Sequence, residues 1–215
     1  MPKVEDAAEA VLEADAATVE AVQPYQDHPL LERLADLGDQ PPMRVLCAAT
    51  IGAGLLSRDP RLTRAGIRML AAHTLATFAK DFVKNRIDRT RPRSTGDPRT
   101  DHRLAPGRST AKEETSFPSG HAAGASAVAR AFARELPEYS VPALAVGGVL
   151  AVAQIPRCAH YPSDVGAGTA IGLASEAVVH LAMRAVDSGL EGRAQSRFGR
   201  SQRSASSTGT LRRAA

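Results

Sequence analysis

Three short polar sets in this sequence combine residue types that bind or transfer charged groups. The first, at 84–92, runs from a lysine to an Arg-Pro pair and is rich in arginine. The second is Pro-Ser-Gly-His at 118–121, and the third, His-Tyr-Pro-Ser-Asp at 160–164, places a carboxylate four residues after an imidazole. Taken alone, each has an ordinary interpretation: solvated arginines, a serine-capped helix start, or a hydrogen-bonded His–Asp pair.

Taken together, the first two sets predict a phosphate-binding site. Lys84 and Arg91 are long cations of the kind that meet a phosphate dianion. A helix that starts after residue 118 presents free backbone N–H groups and a positive dipole end to an anion. Gly120 lets the backbone come close to such an anion, and Ser119 adds a hydroxyl donor. These groups bind a phosphate without a metal ion or a cofactor, and we expect neither.

The two histidines and the aspartate add the chemistry of phosphoryl transfer. His121 is placed to donate a proton to a leaving oxygen. His160 is a candidate nucleophile for phosphorus, and Asp164 would fix the tautomer of its ring. Such a site transfers phosphoryl groups with the help of cationic side chains, unlike the metal-dependent kinases and nucleotide hydrolases.

The rest of the sequence predicts the helices that must position these sets. Residues 4–22 form an amphipathic pattern with a thin apolar stripe. Apolar segments rich in Ala and Gly follow at about 43–57, 65–83, 120–135, 141–155 and 165–186. None of them alternates as a strand does, so we expect an all-α bundle of about five core helices. The predicted organisation is an acidic N-terminal helical segment (1–41), a helical domain (42–186) and a basic, disordered tail (187–215).

Hydropathy alone favours neither a membrane-embedded bundle nor a soluble one. The segment at 165–186 approaches the roughly 20 apolar residues of a membrane span, whereas 65–83 carries Arg68 and His73. If the segments do span, the arginine-rich link at 58–68 and the basic tail share the cytoplasmic side. The three polar sets then face the other side. Five crossings would export the acidic N-terminus without a signal sequence, so the number of crossings stays open, as does the oligomeric state.

Composition excludes several other classes of protein. Aromatic residues make up only 4% and tryptophan is absent, which argues against an all-β fold. Two cysteines are too few for a disulfide scaffold. The basic blocks contain no interleaved aromatic residues, so a groove that stacks nucleic-acid bases is not expected. A phosphorylated substrate or an anionic lipid surface is the partner that this charge pattern favours.

The three sets resemble the signature of the type-2 phosphatidic acid phosphatases, which share a helical fold with vanadium-dependent haloperoxidases and bacterial acid phosphatases. Lys84 and Arg91-Pro92 match the first block of that signature, residues 118–121 match the second, and His160 and Asp164 match the end of the third. The resemblance covers about residues 66–175. It implies a helical bundle embedded in a plasma or inner membrane, with an active site on the extracytoplasmic side.

The resemblance also implies a reaction and a role for each matched residue. The substrate would be a lipid phosphate monoester or diphosphate. His160 would become a phosphohistidine that water hydrolyses, Asp164 would orient it, and His121 would protonate the leaving group. The phosphoryl group would be bound by Lys84, Arg91, Ser119 and Gly120.

One departure from the family pattern concerns the phosphate site. Six residues before His160 the family has an arginine, preceded by a serine, but this chain has Gln154 preceded by Ala153. A charged hydrogen bond of this kind is worth about 1.5–3 kcal/mol, so its loss would lower the rate. We expect Arg157 to compensate in part by binding phosphate. Other candidates for this compensation are Arg86, Arg89 and Arg93.

Two alternative functions remain compatible with the sequence. A vanadate-dependent haloperoxidase would use the same anion site, although the short chain and the scarcity of aromatic residues argue against it. A non-catalytic membrane protein that binds phosphate or lipid headgroups would follow if Gln154 abolished turnover.

Overall fold

The chain folds into a helical bundle, as the apolar segments predict. The computed structural model describes the backbone of residues 2–211 and the side chains of residues 6–189. The α-helices of this part of the chain are α1 (Pro2–Val22), α2 (Pro29–Gly38), α3 (Gln40–Ser57), α4 (Pro60–Lys84), α5 (Gly120–Glu135), α6 (Ser140–Val152) and α7 (Pro162–Leu211). The predicted all-α fold is confirmed, and α3 to α7 are the five predicted core helices.

Short-range signals set the start and the packing of the second core helix. Asp59 caps α4, because its carboxylate accepts the backbone N–H groups of Arg61 and Leu62. α3 and α4 pack closely through glycine: a Cβ on Gly54 would lie 2.4 Å from the backbone nitrogen of Thr63. Larger residues at such positions would push the two helices apart.

Helix α5 is the centre of the bundle. Its buried residues are almost all alanine, so its neighbours approach close to its backbone. A Cβ on Gly168 of α7 would lie 2.3 Å from the carbonyl oxygen of Ser119, and one on Gly172 would lie 2.3 Å from that of Ala123. A Cβ on Gly147 of α6 would lie 2.6 Å from Cβ of Ala129. This dense packing fixes where the N-terminus of α5 points.

Two parts of the fold differ from the prediction. In the long connection after α4, residues Ile87–Arg89 (β1) pair antiparallel with Leu104–Pro106 (β2). A connection of this length must satisfy its own backbone hydrogen bonds, and a two-stranded ribbon does so. The tail that was expected to be disordered from residue 187 continues α7 to Leu211. No proline follows Pro162 to stop the helix. Residues 212–215 lie outside the described residues.

By its internal contacts the chain divides into two compact units, residues 1–177 and residues 178–215. All the residues of the three polar sets belong to the first unit. Among the residues that the structure describes, one helical stretch, Pro162–Gly189, is long and apolar enough to cross a membrane. The shorter Pro137–Val152 is also apolar.

A cluster of buried charges joins α4, α5 and α7, and we call it the charged belt. It lies far from the first polar set, which begins at the C-terminal end of α4. Glu176 is 1% exposed, and its carboxylate accepts the guanidinium of Arg134 at 2.6 and 2.8 Å. Arg68, also buried, lies 2.6 Å from Glu135 and 3.5 Å from Glu176. The belt therefore ties three helices together with paired charges inside the bundle.

Candidate active site

The three polar sets line one cavity of about 300 Å³ at the end of the bundle where α4 stops and α5 begins. Lys84 and Arg91 come from the first set, Gly120 and His121 from the second, and His160 from the third. The sets are far apart in sequence, and α4, α5 and the α6–α7 loop bring them together. The sets thus bring two cations and two imidazoles to one cavity, which suits it to a small anion.

The first set supplies its cations from a helix end and from the loop after β1. Lys84 is the last residue of α4. The guanidinium of Arg91 donates to the carbonyl oxygens of Lys112 at 2.7 Å, Ala159 at 3.2 Å and Thr115 at 3.3 Å. A guanidinium has five N–H donors, so Arg91 is held in place and still has donors for a ligand.

The second set opens α5 as predicted, but its serine is turned inward. Ser119 is fully buried, and its hydroxyl accepts the N–H of Ala122 at 3.4 Å, which makes it the cap of the helix. Its own N–H donates to the carbonyl oxygen of Asp164 at 3.1 Å. Gly120 lines the cavity instead, so the backbone at the helix start faces the anion site and the Ser119 hydroxyl supports it from behind.

The α2–α3 corner, which no motif marked, forms another wall of the cavity. Gly38, Asp39 and Gln40 line it, and Nε2 of His121 lies 3.0 Å from Oδ1 of Asp39. A Cβ on Gly38 would lie 2.9 Å from Cδ2 of His121. The corner thus contacts the imidazole of His121 through Gly38, which has no side chain, and places the carboxylate of Asp39 near the Nε2 atom of that ring.

The third set places its imidazole inside the protein beside the predicted carboxylate. His160 is 2% exposed, and its Nδ1 atom lies 3.6 Å from Oδ2 of Asp164, somewhat longer than a hydrogen bond. Asp164 is held by other donors: the hydroxyl of Ser116 at 2.5 Å and the N–H of Tyr161 at 2.9 Å. Catalytic hydrogen bonds are often long before substrate binds.

Burial sets the protonation of His160. Removal of the ring from water and, to a smaller extent, the nearby cations Arg91 and Lys84 outweigh the opposing effect of Asp164, so the pKa of His160 is lowered to about 4. At neutral pH the ring is therefore neutral and keeps a free lone pair. Burial also lowers the pKa of Arg91, but a guanidinium stays charged at any physiological pH.

Behind the cavity lies a buried ion network that sequence reasoning missed. The guanidinium of Arg89 donates to Asp164 at 2.6 Å, to Ser163 at 2.6 Å and to Asp15 of α1 at 2.7 Å. Asp15 also accepts the N–H of Ser163 at 3.0 Å. Arg89 thus holds the carboxylate that faces His160, and Asp15 holds Arg89. The one indication of this network in the sequence is Asp15, an acidic residue within the narrow apolar stripe of the first helix.

The four arginines that were considered as substitutes for the missing family arginine lie in different places. Arg157 lines the cavity, and its Nε atom is buried without a hydrogen-bond partner. Arg86 donates to the carbonyl oxygen of Phe82 at 2.6 Å, Arg93 pairs with Asp27, and Arg89 belongs to the buried network. Arg157 is the one of these four that remains a candidate for phosphate.

Gln154, His73 and Lys80 also line the cavity. Gln154 is fully buried, and neither its amide nitrogen nor its amide oxygen has a hydrogen-bond partner. His73 and Lys80 lie on α4 above Lys84 and are both buried. Neither belongs to one of the three sets, so the sequence does not assign either to the site.

Comparison with known proteins agrees with this geometry. The model of the PAP2 superfamily matches residues 65–187. The decaprenylphosphoryl-5-phosphoribose phosphatase of Mycobacterium tuberculosis, from two strains, is 33% identical over 139 residues, which are 62% of this chain and 68% of the relative. The structure of the first transmembrane PAP2 type phosphatidylglycerolphosphate phosphatase, from Bacillus subtilis, has a TM-score of 0.59 at 22% identity, covering 82% of this chain and 88% of that one.

The family match spans more than half of the chain and contains all three polar sets, and the solved structure shares the helical fold. The chain therefore belongs to the PAP2 superfamily and is a phosphoric ester hydrolase.

Proposed function

We propose that this protein is a membrane phosphatase that hydrolyses a lipid phosphate monoester or diphosphate through a phosphohistidine on His160, without a metal ion. The observation that carries the proposal is the single cavity lined by Lys84, Arg91, Gly120 and both imidazoles. The cations and the N-terminus of α5 would neutralise the phosphoryl oxygens. That leaves the two histidines to carry out the bond changes.

In the first step, the lone pair of Nε2 of His160 attacks phosphorus while the bond to the leaving oxygen breaks. His121 donates its proton to that oxygen, so the product leaves as a neutral alcohol or a protonated phosphate. Positive charge develops on the ring of His160, and Asp164 stabilises it at Nδ1. Arg89 and Ser116 keep the carboxylate in position for this role.

In the second step, water attacks the phosphohistidine. His121, now neutral, accepts a proton from the water, the P–N bond breaks and its electron pair returns to His160. Phosphate then leaves the cavity, and both rings are back in their starting states. Arg91 and, in our proposal, Arg157 bind the phosphoryl oxygens throughout both steps.

The membrane setting and the lipid substrate are supported by the surface of the bundle. Large apolar side chains are exposed on neighbouring helices, among them Leu55 and Leu56 on α3 and Val141 and Val146 on α6. The stretch at 162–189 is long enough to cross a bilayer. The named relatives act on a decaprenylphosphoryl compound and on phosphatidylglycerolphosphate, which are both phosphorylated lipids. We infer an active site on the extracytoplasmic face.

The test is a substrate panel in detergent: phosphatidic acid, a prenyl diphosphate and p-nitrophenyl phosphate, each with EDTA. We expect phosphate release from at least one lipid, insensitive to EDTA, and no release by the His160→Ala variant. The His121→Ala variant should lose far more activity on the lipids than on p-nitrophenyl phosphate, whose leaving group departs readily as an anion. Activity that survives His160→Ala, or that EDTA abolishes, would contradict the proposal.

Gln154 supports a second candidate, a non-catalytic protein that binds phosphate or lipid headgroups. The cavity lacks the family's arginine at the position of this fully buried amide. Purified protein that binds vanadate but releases no phosphate from any member of the panel would establish this function. Oxidation of halide in the presence of vanadate would instead establish a haloperoxidase.

A further inference from the structure

Helix α4 brings a second lysine into the cavity. Lys80 lies one turn before Lys84, so both side chains project from the same face of the helix. The side chain of Lys80 is only 9% exposed, and it lines the cavity with His121, Gln154 and His160. A buried ammonium is costly unless negative charge lies near it. Its carboxylate partner, Asp81, is half exposed, so an anion in the cavity would offset this cost from the buried side.

The lysine lies directly over the helix start that faces the anion. A Cβ built on Gly120 would lie 3.5 Å from Cδ of Lys80 and 3.8 Å from its Nζ atom. Gly120 is the first residue of α5, where the backbone N–H groups are free. The ammonium group and these N–H groups thus converge on the same volume.

Gln154 provides an independent indication of a ligand at this place. Its amide is fully buried, lines the same cavity, and leaves both its nitrogen and its oxygen without a hydrogen-bond partner. Buried amides of proteins nearly always have partners, because an unsatisfied one is costly. A phosphoryl oxygen in the cavity would accept the N–H that the protein leaves free.

We propose that Lys80 is a phosphate-binding residue of this site and that it supplies the positive charge that Gln154 does not. The proposal rests on the proposed function and adds to it. The ammonium binds a phosphoryl oxygen from the α4 side, and Gln154 donates a neutral hydrogen bond to the same group. The cavity keeps the charge of the family arginine but receives it from a different helix.

The ion pair of Lys80 is compatible with this role. Its Nζ atom lies 2.5 Å from Oδ1 of Asp81, whose side chain is 48% exposed. An ammonium group has three N–H donors, so one can remain on Asp81 while another binds phosphate. Water screens the half-exposed Asp81, so this carboxylate offsets only part of the charge that Lys80 presents to the cavity.

The experiment measures orthovanadate affinity by titration calorimetry in detergent for the wild type and for Lys80→Met, Gln154→Arg and the double variant. We expect Lys80→Met to weaken binding about ten- to a hundredfold, the effect of losing one charged hydrogen bond. Gln154→Arg should restore most of that affinity in the Lys80→Met background. Arg86→Met is the matched control, because it removes one exposed positive charge outside the cavity and should leave affinity unchanged.

Two outcomes would overturn the proposal. One is unchanged vanadate affinity in Lys80→Met. The other is a loss that Gln154→Arg does not restore although the thermal midpoint is unchanged, which would show that the two positions do not serve one anion. If Lys80→Met does not fold, Lys80→Gln is measured in its place against the same criteria. The affinity measurement needs no turnover, so it decides the role of Lys80 even if the wild type releases no phosphate.

Discussion

A histidine that is neutral because it is buried has a defined consequence for the pH dependence of the reaction. Since burial lowers the pKa of His160 to about 4, this proposed nucleophile stays unprotonated throughout the neutral range. We expect log(kcat/KM) on p-nitrophenyl phosphate, which reports the free enzyme, to show no loss from His160 protonation until the pH approaches about 4, and then to fall about tenfold per pH unit. An acidic limb that lies near the ordinary pKa of histidine and is due to protonation of His160 would contradict the burial described here.

Asp164→Asn supplies the control for that profile. The carboxylate raises the pKa of His160 against the effect of burial, so its removal should move the acidic limb to lower pH. The rate at neutral pH should also fall, because the developing imidazolium loses its counter-charge. A limb that stays in place would mean that Asp164 does not act on the ring.

At the residue scale, sequence could predict the parts of the site that lie within continuous motifs. Lys84, Gly120 and His160 belong to such motifs and line the cavity. Lys80 could not be predicted, because a lysine in a helix is usually solvated and only the structure shows it against Gly120. Gln154 was noticed as a departure, but its lack of hydrogen-bond partners is visible only once the fold is known.

Helix α1 is part of the support of the active site, although it lies outside the family match. Asp15→Ala removes one of the carboxylates that hold the buried Arg89, and breaking a buried ion pair costs about 3–5 kcal/mol. We expect a lower thermal midpoint together with a fall in kcat, because Arg89 also orients Asp164.

Glu20→Gln is the matched control for Asp15→Ala. It removes a carboxylate of α1 that pairs with Arg99 at the surface, where both side chains are more than half exposed. An exposed pair of this kind contributes about 0–1 kcal/mol. Equal effects of the two substitutions on kcat would show that α1 has no particular connection to the site.

At the element scale, helices could be predicted more readily than the connections between them. Apolar spacing and starts at Pro60 and Pro162 mark α4 and α7 in the sequence. The pairing of β1 with β2 depends on hydrogen bonds between segments with no alternating pattern, so nothing local indicates it. The contact of Asp15 with Arg89 joins residues 74 positions apart, and no periodicity reports such a pair.

At the scale of the whole molecule, the charged belt is separated from the cavity. The charged belt lies at the start of α4 and the cavity at its end. Glu176→Gln leaves the guanidinium of Arg134 without the carboxylate that it contacts at two points, and we expect a loss of about 3–5 kcal/mol in unfolding free energy. The kcat of the remaining folded protein should not change.

The exposed pair of Glu138 with Arg61 provides the control at the same end of the bundle. Glu138→Gln should leave the unfolding free energy almost unchanged, because water screens an exposed ion pair. A fall in kcat per folded molecule of Glu176→Gln would show that the belt and the cavity are coupled.

The corner at 38–40 and the aspartate of α1 have a practical consequence for anyone who shortens this chain. A fragment cut to the region that matches the family, from residue 65 onward, would keep every matched signature residue. It would lose Asp15, which lies behind the carboxylate of Asp164, and Asp39, which lies beside His121, the proposed proton donor. Such a fragment would carry the complete motif and an open, poorly braced pocket. The smallest working enzyme therefore includes residues that the family signature does not contain.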